Sequence, residues 1–418
     1  MIARARSVWG LAGLSVAALA ICACTATTDS LGYDDSESKV LLPLKPPASY
    51  PNPFRDLLGE TDAAITAKIT NVFNTLFHGS AAQAIYVAVG DDQAYIEDTF
   101  HDNEIRTEGI GLGMMICVEL NKQDEFDKLW TYAKQMVELG SGPNAGYFPS
   151  YCDAADGTTT SCLDPYGFEQ FVTALIFAND RWKTTGTTID YAADALALFH
   201  TLRHKQDDNG GVVEGVTNMF DATTNLPLDV PDVSAAGVTR PSLVMPGYEA
   251  LWAEADADPN WTAAAESGRA FWQAAANATT GFMPVRADFD GTPVPGWDTF
   301  QPEGYRAQIN VVIDQIWSGG DAWNVTESNQ LLAFFSGQGI NTYGKSFSLD
   351  GTTVLDPSHE PSLVVANGIA AVASTNGDRS GYVSAVWNMD IPTGDARYYS
   401  GILELVGLLI LSGQFQVY

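Results

Sequence analysis

The chain has 418 residues, 46% hydrophobic and 11% aromatic, which is ample for a large packed core and too apolar for disorder. Its 51 Asp and Glu stand against 21 Lys and Arg, a formal charge of −30 with no basic stripe in the mature region. That field argues against nucleic acid, anionic lipid surfaces and acidic polymers as partners and leaves a neutral polysaccharide admissible.

In chain order, Arg4 and Arg6 followed by an apolar run from Val8 to Ile21 have the charged start and short hydrophobic stretch of a secretory signal, too short to span a bilayer. The run ends in Ile21-Cys22-Ala23-Cys24, which resembles a bacterial lipobox; Cys24, behind the small Ala23, is the expected lipidation site, with ordinary cleavage and loss of both cysteines as the alternative. Either way the protein is exported, lipid-anchored or else periplasmic or secreted. Residues 25–50, rich in Thr, Asp, Ser and Pro, read as a flexible tether, and 51–418 as one domain with no linker inside it.

Helical periodicity then dominates, with few strands. Phe126, Leu129, Trp130, Ala133, Met136 and Val137 form one apolar helix face that stops at Gly140, and Tyr191, Ala195, Leu198 and Leu202 form another. Further helices are predicted near 62–77, 108–121, 167–182, 245–255, 261–277, 303–318, 325–337, 359–374 and 397–412, eleven in all, a number that suits paired helices closed into a ring. The last is apolar all round and too short for a membrane span, hence a buried helix. Long Gly/Pro/Asp/Thr stretches at 206–244 and 279–302 predict functional loops. Cys152 and Cys162 bracket a polar loop and are expected to pair in an oxidising compartment, while Cys117 reads as a core residue. Five histidines, no HExxH and no Cys/His cluster predict no metal and no other cofactor.

The Gly109-Ile-Gly-Leu-Gly113 string fits neither a phosphate loop nor a dinucleotide fingerprint. Glu108 just before it opens an apolar helix, and a carboxyl set among apolar neighbours keeps its proton and can act as a general acid; a helix-start Glu that merely faces solvent is the plain alternative.

Thr107-Glu-Gly-Ile-Gly-Leu-Gly-Met-Met115 resembles the Ser-Glu-Gly-Met-Gly-Tyr-Gly-Met-Met signature of glycoside hydrolase family 8, whose Glu is the catalytic acid. Val89-Gly-Asp-Asp-Gln-Ala-Tyr95, Glu125-Phe-Asp-Lys-Leu-Trp130, Gly146-Tyr-Phe148, Phe171-Val-Thr-Ala-Leu175, Ser328-Asn-Gln-Leu-Leu-Ala-Phe-Phe335 and Arg397-Tyr-Tyr399 look like further family segments in the family's order. The resemblance covers roughly residues 50–418 and implies an all-α (α/α)6 toroid and inverting hydrolysis of β-1,4-glycosidic bonds. Within the family it resembles the exo-oligoxylanases that release xylose from the reducing end, so xylan-derived oligosaccharides are the expected substrate, with no protein partner.

Two departures from the family pattern stand out. The catalytic base there is the Asp of an Asp-Ala-x-Arg string; here the string is Glu303-Gly-Tyr-Arg306, so Glu303 is the expected base, Arg306 is placed to orient it, and Asp314 is a second candidate whose plain role is a buried ion pair with a neighbour such as Arg306. The family's third acid, which helps distort the sugar, falls at Tyr166, with Asp164 two residues away as a substitute. Tyr147, Tyr166, Trp297, Tyr305, Tyr343, Tyr398 and Tyr399 lie in segments resembling the family cleft and are candidate sugar platforms, core packing being the alternative for each. Two rival readings remain: a surface glycan-binding lipoprotein with a degenerate cleft, and a different enzyme on this toroid, whether a family 8 cellulase or chitosanase or a polysaccharide lyase, whose acidic substrates the charge disfavours.

Overall fold

The computed structural model describes residues 39–101, 103–152 and 163–418. After a short helix α1 (Pro53–Leu58), helices alternate between two roles. α3 (Thr107–Glu119), α5 (Pro165–Trp182), α7 (Pro246–Asp256), α9 (Pro302–Trp317), α11 (Pro361–Ala373) and α13 (Tyr399–Leu411) are buried on nearly every side. A helix without a solvated face must be surrounded by protein. These six surround one another: each packs on the next, and α13 returns to α3 to close the ring.

The helices between them are α2 (Asp62–His78), α4 (Gln123–Tyr132), α6 (Tyr191–Asp208), α8 (Pro259–Ala275), α10 (Ala322–Gln338) and α12 (Arg379–Trp387). These are amphipathic and lie outside; α2 buries Ile65, Ile69, Val72, Phe73, Leu76 and Phe77, the three-and-four spacing of one face, and turns the rest to water. The result is the (α/α)6 toroid expected from the sequence.

Close approach inside the ring explains the glycine string. A Cβ on Gly111 of α3 would sit 2.6 Å from Gln170 Cβ and 3.0 Å from the Gly167 carbonyl of α5, and one on Gly167 would sit 2.5 Å from the Thr107 carbonyl carbon. Glycine is thus required on both sides of the α3/α5 contact, for packing rather than for a ligand.

Four expectations are corrected. Thirteen helices, not eleven, occur among the described residues; α1 and α12 were missed because six and nine residues carry too little periodicity. Residues 133–137 leave the α-helical register for a π-turn, whose extra residue rotates Met136 out to solvent while Val137 stays buried. Among the described residues there are nine short strands: an antiparallel sheet β1 (Tyr86–Val89), β2 (Gln93–Asp98), β3 (Glu104–Arg106), β4 (Tyr151–Cys152); a pair β5 (Val238–Thr239) with β6 (Ala287–Asp288); and a sheet β7 (Thr299–Phe300), β8 (Ser346–Ser348), β9 (Val354–Asp356). Runs of two to six residues escape a periodicity search, yet β3 leads directly into α3 and β7 lies one residue before α9. Finally, residues 39–50, grouped above with the tether, pack along the ring: Leu41 and Leu44 are buried, Leu42 N donates to Ala255 O at 2.9 Å and Lys39 pairs with Asp256 at 2.9 Å. Cys24 and Cys162 lie outside the described residues; Cys117 is buried in α3.

Candidate active site

Four inner helices begin with proline: Pro165, Pro246, Pro302 and Pro361. The first helical position needs no N–H donor and suits the fixed φ of proline, so each one marks where the chain turns down into the ring. The polar side chains of the site cluster at these starts. Glu108 is the second residue of α3; Asp164 caps α5, accepting from Tyr166 N at 2.8 Å; Glu303 follows Pro302; Glu360 precedes Pro361; Tyr398 and Tyr399 open α13. All of them line one cavity of about 620 Å³ at the rim formed by the helix N-termini. The five converging N-termini of α3, α5, α9, α11 and α13 favour negative charge there.

Arg306, one turn into α9 and almost fully buried, organises the centre. One guanidinium nitrogen donates to Glu108 Oε1 and another to Glu303 Oε2, while the Tyr166 ring stacks beneath it with its centroid 4.7 Å from the guanidinium carbon. The two carboxyls share this cation but have opposite surroundings. Burial raises the pKa of Glu108, Arg306 opposes the rise, and the charge of Glu303 adds to it. Burial also acts on Glu303, but there Arg306 and Arg240 overcome it, with hydrogen bonds from Arg306 and Ser242, and hold the group at about 2. One carboxyl is biased toward keeping its proton and its neighbour toward being ionised, the split that separates a general acid from a general base.

A second group of charges comes from the loop between α6 and α7. Arg240, immediately after β5, reaches Asp164 Oδ2 at 2.6 Å, Asp229 Oδ1 at 2.7 Å and Glu303 Oε1 at 4.0 Å. Asp229 in turn meets Arg286 at 3.2 Å, whose guanidinium lies 4.2 Å over the Trp297 ring. Ser242 donates its hydroxyl to Glu303 Oε2 at 3.0 Å.

Of the residues named from sequence, Glu108, Glu303, Asp164, Arg306, Tyr398 and Tyr399 meet in the cavity lining, with Tyr166 behind Arg306. Asp164 keeps a carboxylate in the cleft, while Tyr166, the expected third-acid position, lies behind Arg306. Tyr398 needs the gap at Gly109, where a Cβ would come within 2.9 Å of its ring. Tyr305 is not a sugar platform: it is fully buried with its ring 5.4 Å from that of Phe300, and its hydroxyl donates to the Lys345 carbonyl. Position i+2 from Glu303 on a helix turns away from the cleft, which places Tyr305 in the core. Tyr147 and Tyr343 are likewise core residues, the first donating to Thr217 O at 2.7 Å. Trp297 is 43% exposed but lies outside the cavity lining. Asp314 is buried away from the cleft and pairs with Arg269, not Arg306, by two bonds of 2.6 and 3.0 Å.

Sequence reasoning missed Arg240, Ser242, Asp98, Arg106 and Glu360. Loop residues carry no period, but one signal was available: an Arg is scarce in so acidic a chain, and Arg240 stands in a stretch already marked as a functional loop. Asp98, fully buried at the end of β2, forms an ion pair with Arg106 at 2.6 Å and accepts from the backbone of Phe100 at 3.0 Å, which fixes the turn carrying the exposed Phe100 at the lip of the cavity.

The sequence profile described as glycosyl hydrolases family 8 matches residues 89–413. A reducing-end xylose-releasing exo-oligoxylanase of Paenibacillus barcinonensis is 32% identical over 370 residues, 86% of this chain and 94% of that one. A second enzyme with that description, from Halalkalibacterium halodurans, is 32% identical over 378 residues, 88% and 94% of the two chains. The solved structure of the Paenibacillus enzyme complexed with xylose superposes with a TM-score of 0.82 at 32% identity, covering 88% of this chain and 98% of that one. On the profile, the identity over nearly the whole length and the shared toroid, the chain belongs to glycosyl hydrolases family 8.

Proposed function

We propose that the protein is an inverting hydrolase of β-1,4-linked xylo-oligosaccharides, with Glu108 as general acid and Glu303 as general base. The observation that carries this reading is the opposite displacement of the two carboxyls about one shared cation. Glu108 gives its proton to the glycosidic oxygen as the bond to the anomeric carbon breaks; Glu303 takes a proton from a water attacking that carbon from the opposite face. A single displacement inverts the configuration. Arg306 keeps both carboxyls at fixed positions, and its charge, held by burial against Tyr166, opposes protonation of the base. Asp164, buttressed by Arg240, supplies the third carboxylate of the cleft. Tyr399, partly exposed in the cavity lining, offers aromatic surface to a sugar ring, whereas Tyr398 is buried like Tyr305 and Tyr343 and is not a platform. Xylo-oligosaccharides rather than other β-1,4 glycans are the substrate we infer, because the three relatives covered over 94% of their length are described as xylose-releasing.

The test compares Glu108→Gln and Glu303→Gln on xylo-, cello- and chito-oligosaccharides. Both lose turnover by orders of magnitude while oligosaccharide binding persists, and azide rescues only Glu303→Gln, yielding a glycosyl azide of inverted configuration. Binding without release of reducing ends by the unaltered protein would instead favour the glycan-binding reading.

We further propose that the protein is exported and lipid-anchored at Cys24, supported by Arg4, Arg6, the run Val8–Ile21 and the small Ala23. Cys24→Ala then moves the protein to the soluble fraction, whereas retention with release by Cys22→Ala moves the anchor to Cys22.

A further inference from the structure

We infer that Arg240 and Ser242 are positioning residues for the water-activating carboxylate, clamping Glu303 into one rotamer from the loop side of the cleft. This rests on the reading of Glu303 as the base. A Glu has one more rotatable bond than an Asp, so its carboxylate samples about three times as many staggered arrangements unless something fixes it. Arg306 fixes it from within α9. That alone leaves the carboxylate free to pivot about the shared bond, because Arg306 also holds Glu108.

The segment 240–242 supplies the missing constraint. Ser242 donates to the same Oε2 at 3.0 Å, and Arg240 faces Oε1 at 4.0 Å, so both oxygens are addressed from outside the helix. The segment itself cannot drift. Asn310 Nδ2, two turns along the helix that carries Glu303, donates to Ser242 O at 2.9 Å; Trp272 Nε1 of α8 donates to Pro241 O at 3.0 Å; Leu243 N closes on Arg240 O at 2.9 Å. Arg240 is anchored at its far end by Asp229 and Asp164. Ser242 and Asn310 are buried, so these bonds form away from competing water. Arg240 thereby also couples the base to Asp164, the third acid of the cleft.

The alternative is that Arg240 merely neutralises Asp164 and Asp229 and Ser242 merely fills space. Ser242→Ala and Arg240→Lys, which keep volume and charge respectively, distinguish the two when kcat and KM are measured across pH on a xylo-oligosaccharide, with Glu303→Gln as reference. Positioning predicts a fall in kcat of about 10- to 100-fold in Ser242→Ala with KM within about twofold. It also predicts an acid limb of kcat/KM moved upward by about one pH unit, because a donor to the ionised form is gone. Arg240→Lys, retaining charge but losing the fork, shows the same changes in smaller degree. Folded variants with wild-type kcat and an unmoved acid limb would overturn the proposal while the dead Glu303→Gln left the base assignment standing. A Glu303→Gln that still turns over would instead remove the base assignment itself.

Discussion

Replacing Asp314 with Asn separates structure from catalysis at the second acidic residue of α9. Asp314 is fully buried, receives Arg269 at 2.6 and 3.0 Å, Ser318 Oγ at 2.6 Å and Asn324 Nδ2 at 3.1 Å, and has no access to the cleft. Breaking a buried pair by removing one partner costs about 3–5 kcal/mol. Part of that cost is recoverable here. Glu249, fully buried, is pushed up to about 8 by burial, with Arg269 and the Met245 backbone opposing and Asp314 adding to the rise. Loss of Asp314 frees Arg269 to turn toward Glu249 and favours its ionisation, so the low end, about 3 kcal/mol, is expected. At about 2.1 cal/mol/K per residue, a chain of this size unfolds with an entropy near 0.9 kcal/mol/K, which converts the loss to a Tm decrease of about 3–4 °C. Calorimetry at neutral pH should find that decrease, and kcat on xylo-oligosaccharides should stay within about threefold of wild type. Glu249→Gln alone should be mild, since the group is mostly neutral, but combined with Asp314→Asn it should cost more than the sum by about 1 kcal/mol, because Arg269 then has no acid left. A variant with unchanged Tm and turnover lost by two orders of magnitude would refute the reasoning and move the base to Asp314.

Glu303→Asp, the residue the family string carries, should lower turnover about 10- to 100-fold here, because Arg306 and Ser242 are set for the longer arm; equal or higher activity would show that the contacts seen around Glu303 do not set its position. Burial also pushes Glu404 up to about 7, with Lys68 opposing. Because Glu249 and Glu404 have folded pKa values above their ordinary 4.5, the folded state holds protons that the unfolded chain releases, so their stabilisation is full below about pH 4.5 and is lost as pH rises through 7 and 8. Melts of wild type, Glu249→Gln and Glu404→Gln between pH 5 and 9 should show a falling Tm that each Gln variant flattens, and parallel curves would contradict this. Cys152 and Cys162 should be recovered as a disulfide, removing about 2–3 kcal/mol of loop entropy from the unfolded chain, and free thiols in exported protein would contradict it.

The toroid was legible because its inner helices are apolar on all sides and its outer ones on one, a contrast that periodicity detects without any tertiary knowledge. What failed was local. The π-turn at 133–137 is an extra residue that leaves composition unchanged, and α12 is too short for its apolar positions to repeat. Within the site, Glu108 was legible from the apolar helix it opens and from the resemblance, and Glu303 from the resemblance alone, whereas Arg240 and Ser242 act from a loop whose course is set by donors on α8 and α9. Tyr305 shows the opposite error: proximity to Glu303 in sequence suggested a cleft residue, but two steps along a helix reverse direction.

The segment Lys39–Lys45 runs along the far side of the ring. Lys39, Leu42 and Lys45 hold to Asp256, Ala255 and Glu254, the last turn of α7, so the polypeptide joins the ring at the end opposite the helix starts that carry Glu108 and Glu303. The segment Lys39–Lys45 therefore stays clear of the cavity mouth. A bulky group attached at Lys39 would leave a soluble oligosaccharide free access to the cleft, whereas one attached near Phe100 at the lip would stand in the substrate's path.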